Sequence, residues 1–295
     1  MRIVSLLPSA TEIVYCLGLD DSLVGVTHEC DWPPAARTKR VVSHSVLAPG
    51  ADPAEVDRAV SASIGGGDPI YRLDRDAVRE LRPDLVLTQD LCAVCAVPAG
   101  HVHEALDVLG CDARVLSLDP GNLGEVLDCV LDVGRATDTD EVAREVVAAL
   151  RRRLQSVKEA VAGARRPTTF ALEWSDPPFN GGHWVPDMIS AAGGEPVVGC
   201  PGTPSVRVAW EDIGAAAPEV VVFMPCGYGL DEAVAEAPSF LGRPELEATD
   251  AVFAVDASAC FSRPGPRLVE GVEALAGALH PERVPPSPRR VQRLR

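Results

Sequence analysis

Aromatic side chains make up only 4% of this 295-residue chain, and only two of its 27 cations, Lys39 and Lys158, are lysines. Against 43 Asp and Glu residues those cations leave a net charge of −16. A basic surface able to neutralise phosphates is missing, which excludes broad binding to nucleic acid or to anionic membranes. No stretch approaches the ~20 apolar residues of a membrane-spanning helix, so no membrane insertion is expected. The N-terminus, Met1 to Ser9, lacks the ~7–15-residue apolar region and small-residue cleavage site of a secretory signal. This predicts a cytoplasmic protein. A periplasmic or lipid-anchored placement requires a start upstream of Met1. Nine cysteines, an odd count in a chain too large to need disulfide staples, fit reduced thiols. Catalytic signatures are also missing. Gly65-Gly66-Gly67 lacks the Lys-Ser/Thr of a phosphate loop, and there is no G-x-S-x-G or H-E-x-x-H. His101 and His103 face different ways on a helix start and read as a solvated face. The expectation is a protein without turnover.

What is present is an α/β pattern, in which short β-branched runs alternate with helical stretches. In the first half the strand candidates are Arg2–Leu7, Leu23–Thr27, Val41–Ser43, Leu85–Thr88 and Arg114–Leu118. Helix candidates lie at Ala10–Leu17, Pro53–Ser61, Asp74–Leu81, Gly100–Leu109 and Leu123–Gly134. The longest helical periodicity runs from about Asp140 to Ala164, without Pro, and stops before Arg166-Pro167. A second α/β set follows, with strands at Thr168–Trp174, Val220–Met224 and Val252–Asp256, and helices at Val185–Ala192, Asp231–Glu236 and Pro266–Leu279. The reading is two Rossmann-like α/β lobes, 1–137 and 167–280, joined by one long helix over 138–166, with a frayed tail at 281–295. One doubly wound domain with a long peripheral helix is the competing arrangement.

Open α/β sheets bind ligands outside the carboxyl ends of their strands. Five of the nine thiols fall just past such an end: Cys30, Cys92, Cys95, Cys226 and Cys260. Cys92-x-x-Cys95 has the spacing of a metal knuckle or redox pair, and Cys30 with His28 would complete a mixed sulfur and nitrogen tetrahedron for zinc or another soft metal. Packing thiols in a reducing compartment are the plainer explanation. Gln89 stands at the end of its strand. Among the few aromatics, Trp32, Trp174 and Trp184 fall in loops or at strand ends. Glu173, Trp174, Phe179, His183 and Trp184 share the segment LEWSDPPFNGGHW, too rich in Gly and Pro for regular structure. Large flat side chains there suit a large, partly apolar ligand.

The opening RIVSLLPSATEIVYCLGLDDSLVGVTHECDWP, the segment LRPDLVLTQ, the long central helix and FSRPGPRLVEGVEAL together resemble the cobalamin/siderophore type of substrate-binding protein. These are the two-lobed, helical-backbone class III receptors of ABC importers, and the resemblance spans about Arg2 to Leu279. Pro8-Ser9-Ala10-Thr11-Glu12 and the R-P-D-L before a strand are its most specific elements. HECDWP with TQDLCAVCAV resembles a cytosolic-looking, cobalamin-binding subgroup. The resemblance implies a corrinoid-sized molecule, cobalamin or a related large metal chelate, held between lobes without catalysis. Trp32, Gln89, Trp174, Phe179, Trp184, Cys226 and Cys260 are then the ligand-facing candidates. An ABC importer is the implied partner if the start lies upstream. The alternative is a soft-metal or thiol-redox protein using Cys30, Cys92 and Cys95 with His28.

Overall fold

The computed structural model describes residues 1–45, 71–89 and 112–295, and its contacts group into two units. Residues Met1–Asp119 and Cys129–Val146 form the first, and Pro120–Asp128 and Val147–Arg295 the second. The helices expected at Pro53–Ser61 and Gly100–Leu109, and the Cys92/Cys95 pair, lie outside the described residues.

In the first unit, β1 (Ile3–Ser5) leads into α1 (Pro8–Cys16), followed by β2 (Leu23–Thr27), β3 (Arg40–Ser45) and β4 (Tyr71–Leu73). Then come α2 (Arg75–Leu81), β5 (Leu85–Thr88) and β6 (Arg114–Ser117). The strands lie in the order β4-β3-β2-β1-β5-β6, parallel except for β4. Each helix starts where the sequence supplies a start. Pro8 opens α1, where a missing N–H costs nothing. The Asp74 carboxylate caps α2 by accepting from the Ala77 N–H at 2.9 Å. Val4, Leu6, Val42, Ala77, Val78 and Val86 make a core cluster between α2 and the sheet. Gly25 permits this packing, since a Cβ there would stand 2.9 Å from Leu81 and 3.0 Å from Val42.

Two helices follow, α3 (Leu123–Ala136) and α4 (Asp140–Ala160). The second is the long helix expected from periodicity over about Asp140–Ala164, ending four residues earlier, at Ala160; its 21 residues span about 30 Å at 1.5 Å per residue. Ala143, Val147, Leu150 and Val157 form its buried stripe, while Arg152, Arg153 and Gln155 are exposed. The boundary between the two units falls after Asp128 in α3 and after Val146 in α4.

The second unit contains β7 (Thr168–Ser175), β8 (Pro178–Asn180), α5 (Val185–Ala191), β9 (Glu195–Pro196), α6 (Trp210–Ala216) and β10 (Val220–Phe223). It continues with α7 (Leu230–Glu236), β11 (Ala251–Val255), α8 (Ala257–Cys260), α9 (Leu268–Leu279) and β12 (Val291–Arg293). The sheet order is β12-β11-β10-β7-β8, with β9 beside the start of β7. Wholly apolar β10 is buried along its length, as a parallel strand covered on both faces must be. Phe170, Leu172, Trp210, Ile213, Phe223 and Phe240 belong to the core, with the Phe223 and Phe240 rings 4.7 Å apart.

Two expectations are corrected here. The tail is not frayed: β12 pairs antiparallel with β11, Val291 opposite Val255 and Arg293 opposite Phe253. The LEWSDPPFNGGHW segment is not an irregular loop. Its first half is a β7–β8 hairpin, because Asp176-Pro177 makes the turn and Pro178 takes the first position of β8, where a missing N–H is tolerated. Among the described residues no helix is long and apolar enough to cross a membrane.

Candidate functional site

In the first unit, β1, β2, β5 and β6 all end in a hydroxyl residue: Ser5, Thr27, Thr88 and Ser117. Ser43 lies near the end of β3. Ser5, Thr27, Ser43 and Thr88 are buried, so the carboxyl edge of this sheet is a row of short hydrogen-bonding groups set into the core. Ser5 Oγ donates to the Leu7 carbonyl at 2.9 Å, and Thr11 Oγ1 donates to Ser5 Oγ at 2.9 Å. Thr11 Oγ1 and Thr27 Oγ1 each stand 3.1 Å from the sulfur of Cys30, which is only 3% exposed. Gln89 is buried just past β5; among the described residues neither its Nε2 nor the hydroxyl of Ser43 has a hydrogen-bond partner.

The metal set expected from sequence is not assembled among the described residues, where no group of three His, Cys, Asp or Glu side chains is placed to hold an ion. Cys30 is enclosed by the Thr11 and Thr27 hydroxyls. His28 turns Nδ1 toward the Ser43 carbonyl at 3.2 Å and holds Nε2 3.9 Å from Glu29. Cys92 and Cys95 fall outside the described residues. Trp32 is 43% exposed.

In the second unit the carboxyl edge is aromatic. The β7–β8 ladder is irregular between Leu172 and Trp174, and Glu173 and Trp174 are both half-buried in succession rather than alternating in and out. Trp174 meets Tyr228, in the loop after β10, edge to face at 5.7 Å and 84°. Phe179 is half-buried opposite Trp174, with the Arg207 guanidinium 5.7 Å over its ring. Cys226 is half-buried in the same loop as Tyr228. Trp174, Phe179 and Cys226 therefore lie at the edge where a ligand of an α/β sheet would sit.

Trp184 and Cys260 do not. Trp184 is 7% exposed, and its indole N–H donates to the Phe261 carbonyl at 2.8 Å. That pairing satisfies its polar group and makes it a core residue. Cys260 is fully buried in α8, and burial pushes its thiol up to about 12, well outside the range of a reactive thiolate.

Glu173 is the residue sequence reasoning named without assigning a role. Burial pushes its carboxyl up to about 7, opposed only by a hydrogen bond with the Ser205 side chain. One signal was available: an acid between apolar neighbours in LEWSDPPFNGGHW, with no Lys or Arg in the segment. His183 lies beyond β8 with φ +52°; burial lowers its pKa, and its Nε2 has no partner among the described residues. Tyr228 and Arg207 could not be placed from sequence, since they reach the edge from distant loops.

Comparison with known proteins agrees with this geometry. A periplasmic binding protein family model matches residues 3–254. A vitamin B12-binding protein of Vibrio cholerae serotype O1 is 26% identical over 280 residues, covering 92% of this chain and 86% of that one. Among solved structures, the periplasmic vitamin B12 binding protein of Vibrio cholerae aligns with a TM-score of 0.68 at 24% identity, covering 94% of this chain and 96% of that one. A periplasmic heme binding protein from Pseudomonas aeruginosa aligns with a TM-score of 0.73 at 20% identity, covering 98% and 96%. The two α/β units and the family match over most of the chain lead to one conclusion: this chain belongs to the periplasmic binding protein family of substrate-binding proteins, which bind rather than transform their ligands.

Proposed function

We propose that this protein binds a corrinoid, cobalamin or a close relative, using the aromatic carboxyl edge of its second sheet. The observation that carries the reading is the concentration of scarce aromatics there: Trp174 set against Tyr228, with Phe179 alongside. A macrocycle needs a broad apolar wall, and rings already fixed by one another cost little ordering entropy when the ligand arrives. The vitamin B12-binding relative supports a corrinoid over other chelates. Among the described residues no cluster of metal-ligating side chains supports the soft-metal reading.

Titration with cyanocobalamin, followed by tryptophan fluorescence and visible absorbance, tests the proposal. Each ~50 Å² of Trp174 covered by ligand is worth about 1.3 kcal/mol, close to tenfold in affinity. Saturable binding is expected, with Trp174→Ala weakening it by about tenfold. No saturation by cyanocobalamin, alongside tight binding of haem, would overturn it.

A further inference from the structure

Four side chains form a row at the carboxyl edge of the second sheet. Trp174 on β7 stands directly opposite Phe179 on β8. Phe179 in turn makes an isolated antiparallel bridge with Arg207. Residues opposed across neighbouring strands present their side chains to the same face, so Trp174, Phe179 and Arg207 share one. At ~4.8 Å per strand the three span roughly 10 Å. Tyr228, whose ring meets that of Trp174 at 5.7 Å, extends the row at its other end. The order is three aromatic rings and then a cation.

That cation is held in place. On either side of Arg207 the backbone is tied to β8: the Asn180 N–H donates to the Val206 carbonyl at 3.1 Å, and the Val208 N–H to the Pro178 carbonyl at 2.9 Å. The Val206 N–H donates to Asn180 Oδ1 at 2.7 Å, and the Ser205 hydroxyl to the Asn180 carbonyl at 2.6 Å. The Arg207 guanidinium lies 5.7 Å over the centre of the Phe179 ring, within the range of a cation–π contact. A guanidinium that rests on a ring by its face keeps its in-plane N–H donors, the fork that fits a phosphate or a carboxylate. Arg207 is exposed, so a ligand can reach it. With a net charge of −16 the chain gives anions no general attraction, and an anionic ligand group must be met by a specific cation.

We propose that Arg207 is the specificity residue of this edge, pairing with an anionic substituent on the rim of the flat apolar body that the rings hold. This rests on the corrinoid reading above. For a corrinoid that substituent is the phosphodiester of the nucleotide loop, so the site distinguishes complete cobalamins from cobinamides, which lack the nucleotide and its phosphate. A macrocycle laid over Tyr228, Trp174 and Phe179 brings its rim to the fourth position of the row. The guanidinium already seated on Phe179 loses little rotamer freedom on pairing there.

The experiment is a set of affinities for cyanocobalamin and dicyanocobinamide in wild type, Arg207→Gln and Arg207→Lys. Wild type is expected to bind cyanocobalamin about tenfold more tightly than dicyanocobinamide, the weak end of a charge-assisted pairing. Arg207→Gln weakens cyanocobalamin by that factor and leaves dicyanocobinamide unchanged, which erases the preference. Arg207→Lys, with the charge but without the fork, keeps about a threefold preference. Raising NaCl from about 0.05 to 0.5 M shrinks the preference of wild type and not that of Arg207→Gln. A preference that survives in Arg207→Gln belongs to the nucleotide base rather than its phosphate and would overturn the proposal. So would an equal loss for both ligands, the sign of an arginine that only props Phe179. Wild type without a preference overturns the role of Arg207 and leaves the corrinoid reading standing; wild type that binds neither corrinoid overturns both.

Discussion

Removing one guanidinium should release the C-terminal tail. Arg290 precedes β12; its Nη1 donates to Asp256 Oδ2 at 2.6 Å and its Nε to Glu270 Oε1 at 2.8 Å. Asp256 in turn caps α8 through the Ala259 N–H at 3.1 Å, and its own N–H donates to the Arg290 carbonyl at 2.8 Å. One side chain thus ties the tail to α8 and α9. The side chains are 22%, 15% and 37% exposed for Arg290, Asp256 and Glu270, so these are neither surface pairs nor fully dry ones. Charge-assisted hydrogen bonds contribute ~1.5–3 kcal/mol each when sheltered. Discounting the more exposed Glu270 arm for solvent screening leaves roughly 2–4 kcal/mol for Arg290→Met. Urea unfolding followed by tryptophan fluorescence measures it well, because Trp174, Trp184 and Trp210 all belong to the second unit. Much of the loss comes from stranding two carboxylates. The triple variant Arg290→Met/Asp256→Asn/Glu270→Gln should accordingly recover about half of it, because an asparagine amide oxygen caps a helix about as well as the carboxylate it replaces. An Arg290→Met protein within about 0.5 kcal/mol of wild type, the ordinary scatter of surface substitutions, would refute the latch.

Trp184→Ala should destabilise the second unit by about 3–5 kcal/mol, since it empties a core site and strands the Phe261 carbonyl; its affinity for cyanocobalamin, measured on the folded fraction, should stay within a few fold of wild type. A loss of affinity at unchanged stability would return Trp184 to the ligand surface. Glu173→Gln should raise stability above neutrality and leave it unchanged near pH 4. The folded carboxyl sits at about 7 against an ordinary 4.5. Its burial therefore costs nothing below 4.5, costs progressively more as pH rises between those values, and levels off above 7. At about 1.4 kcal/mol per unit the ceiling is near 3 kcal/mol, and partial exposure brings the expected gain to roughly 1–2. Parallel stability–pH curves for variant and wild type from pH 4 to 9 would contradict it.

The parts of the fold legible in the sequence are those whose signal is local. Leu23–Thr27 and Leu85–Thr88 are β-branched runs with polar stops, and both strands are found with those bounds. Asp140 to Ala160 announces itself by three- and four-residue apolar spacing. What was missed depends on distant partners. Val291–Arg293 has no strand signature, being short and flanked by Arg and Pro; it pairs only because β11 presents an open edge. Trp184 reads as a loop aromatic from its Gly-Gly-His context, yet its partner is a carbonyl 77 residues away. Cys226 and Cys260 both follow strands and look alike in sequence; the turn after β10 leaves one accessible, while α8 folds the other inward. Spacing alone could not separate them.

The carboxyl edges of the two sheets differ in their chemistry. Strand propensity favours Thr along a strand, but nothing in folding requires four parallel strands of one sheet to finish on Ser or Thr. Burying such hydroxyls is tolerable only when each finds a partner, and Ser5, Thr11 and Thr27 do so through one another and Cys30. The second sheet ends instead on Trp174, on the loop that brings Tyr228, and on the acid Glu173.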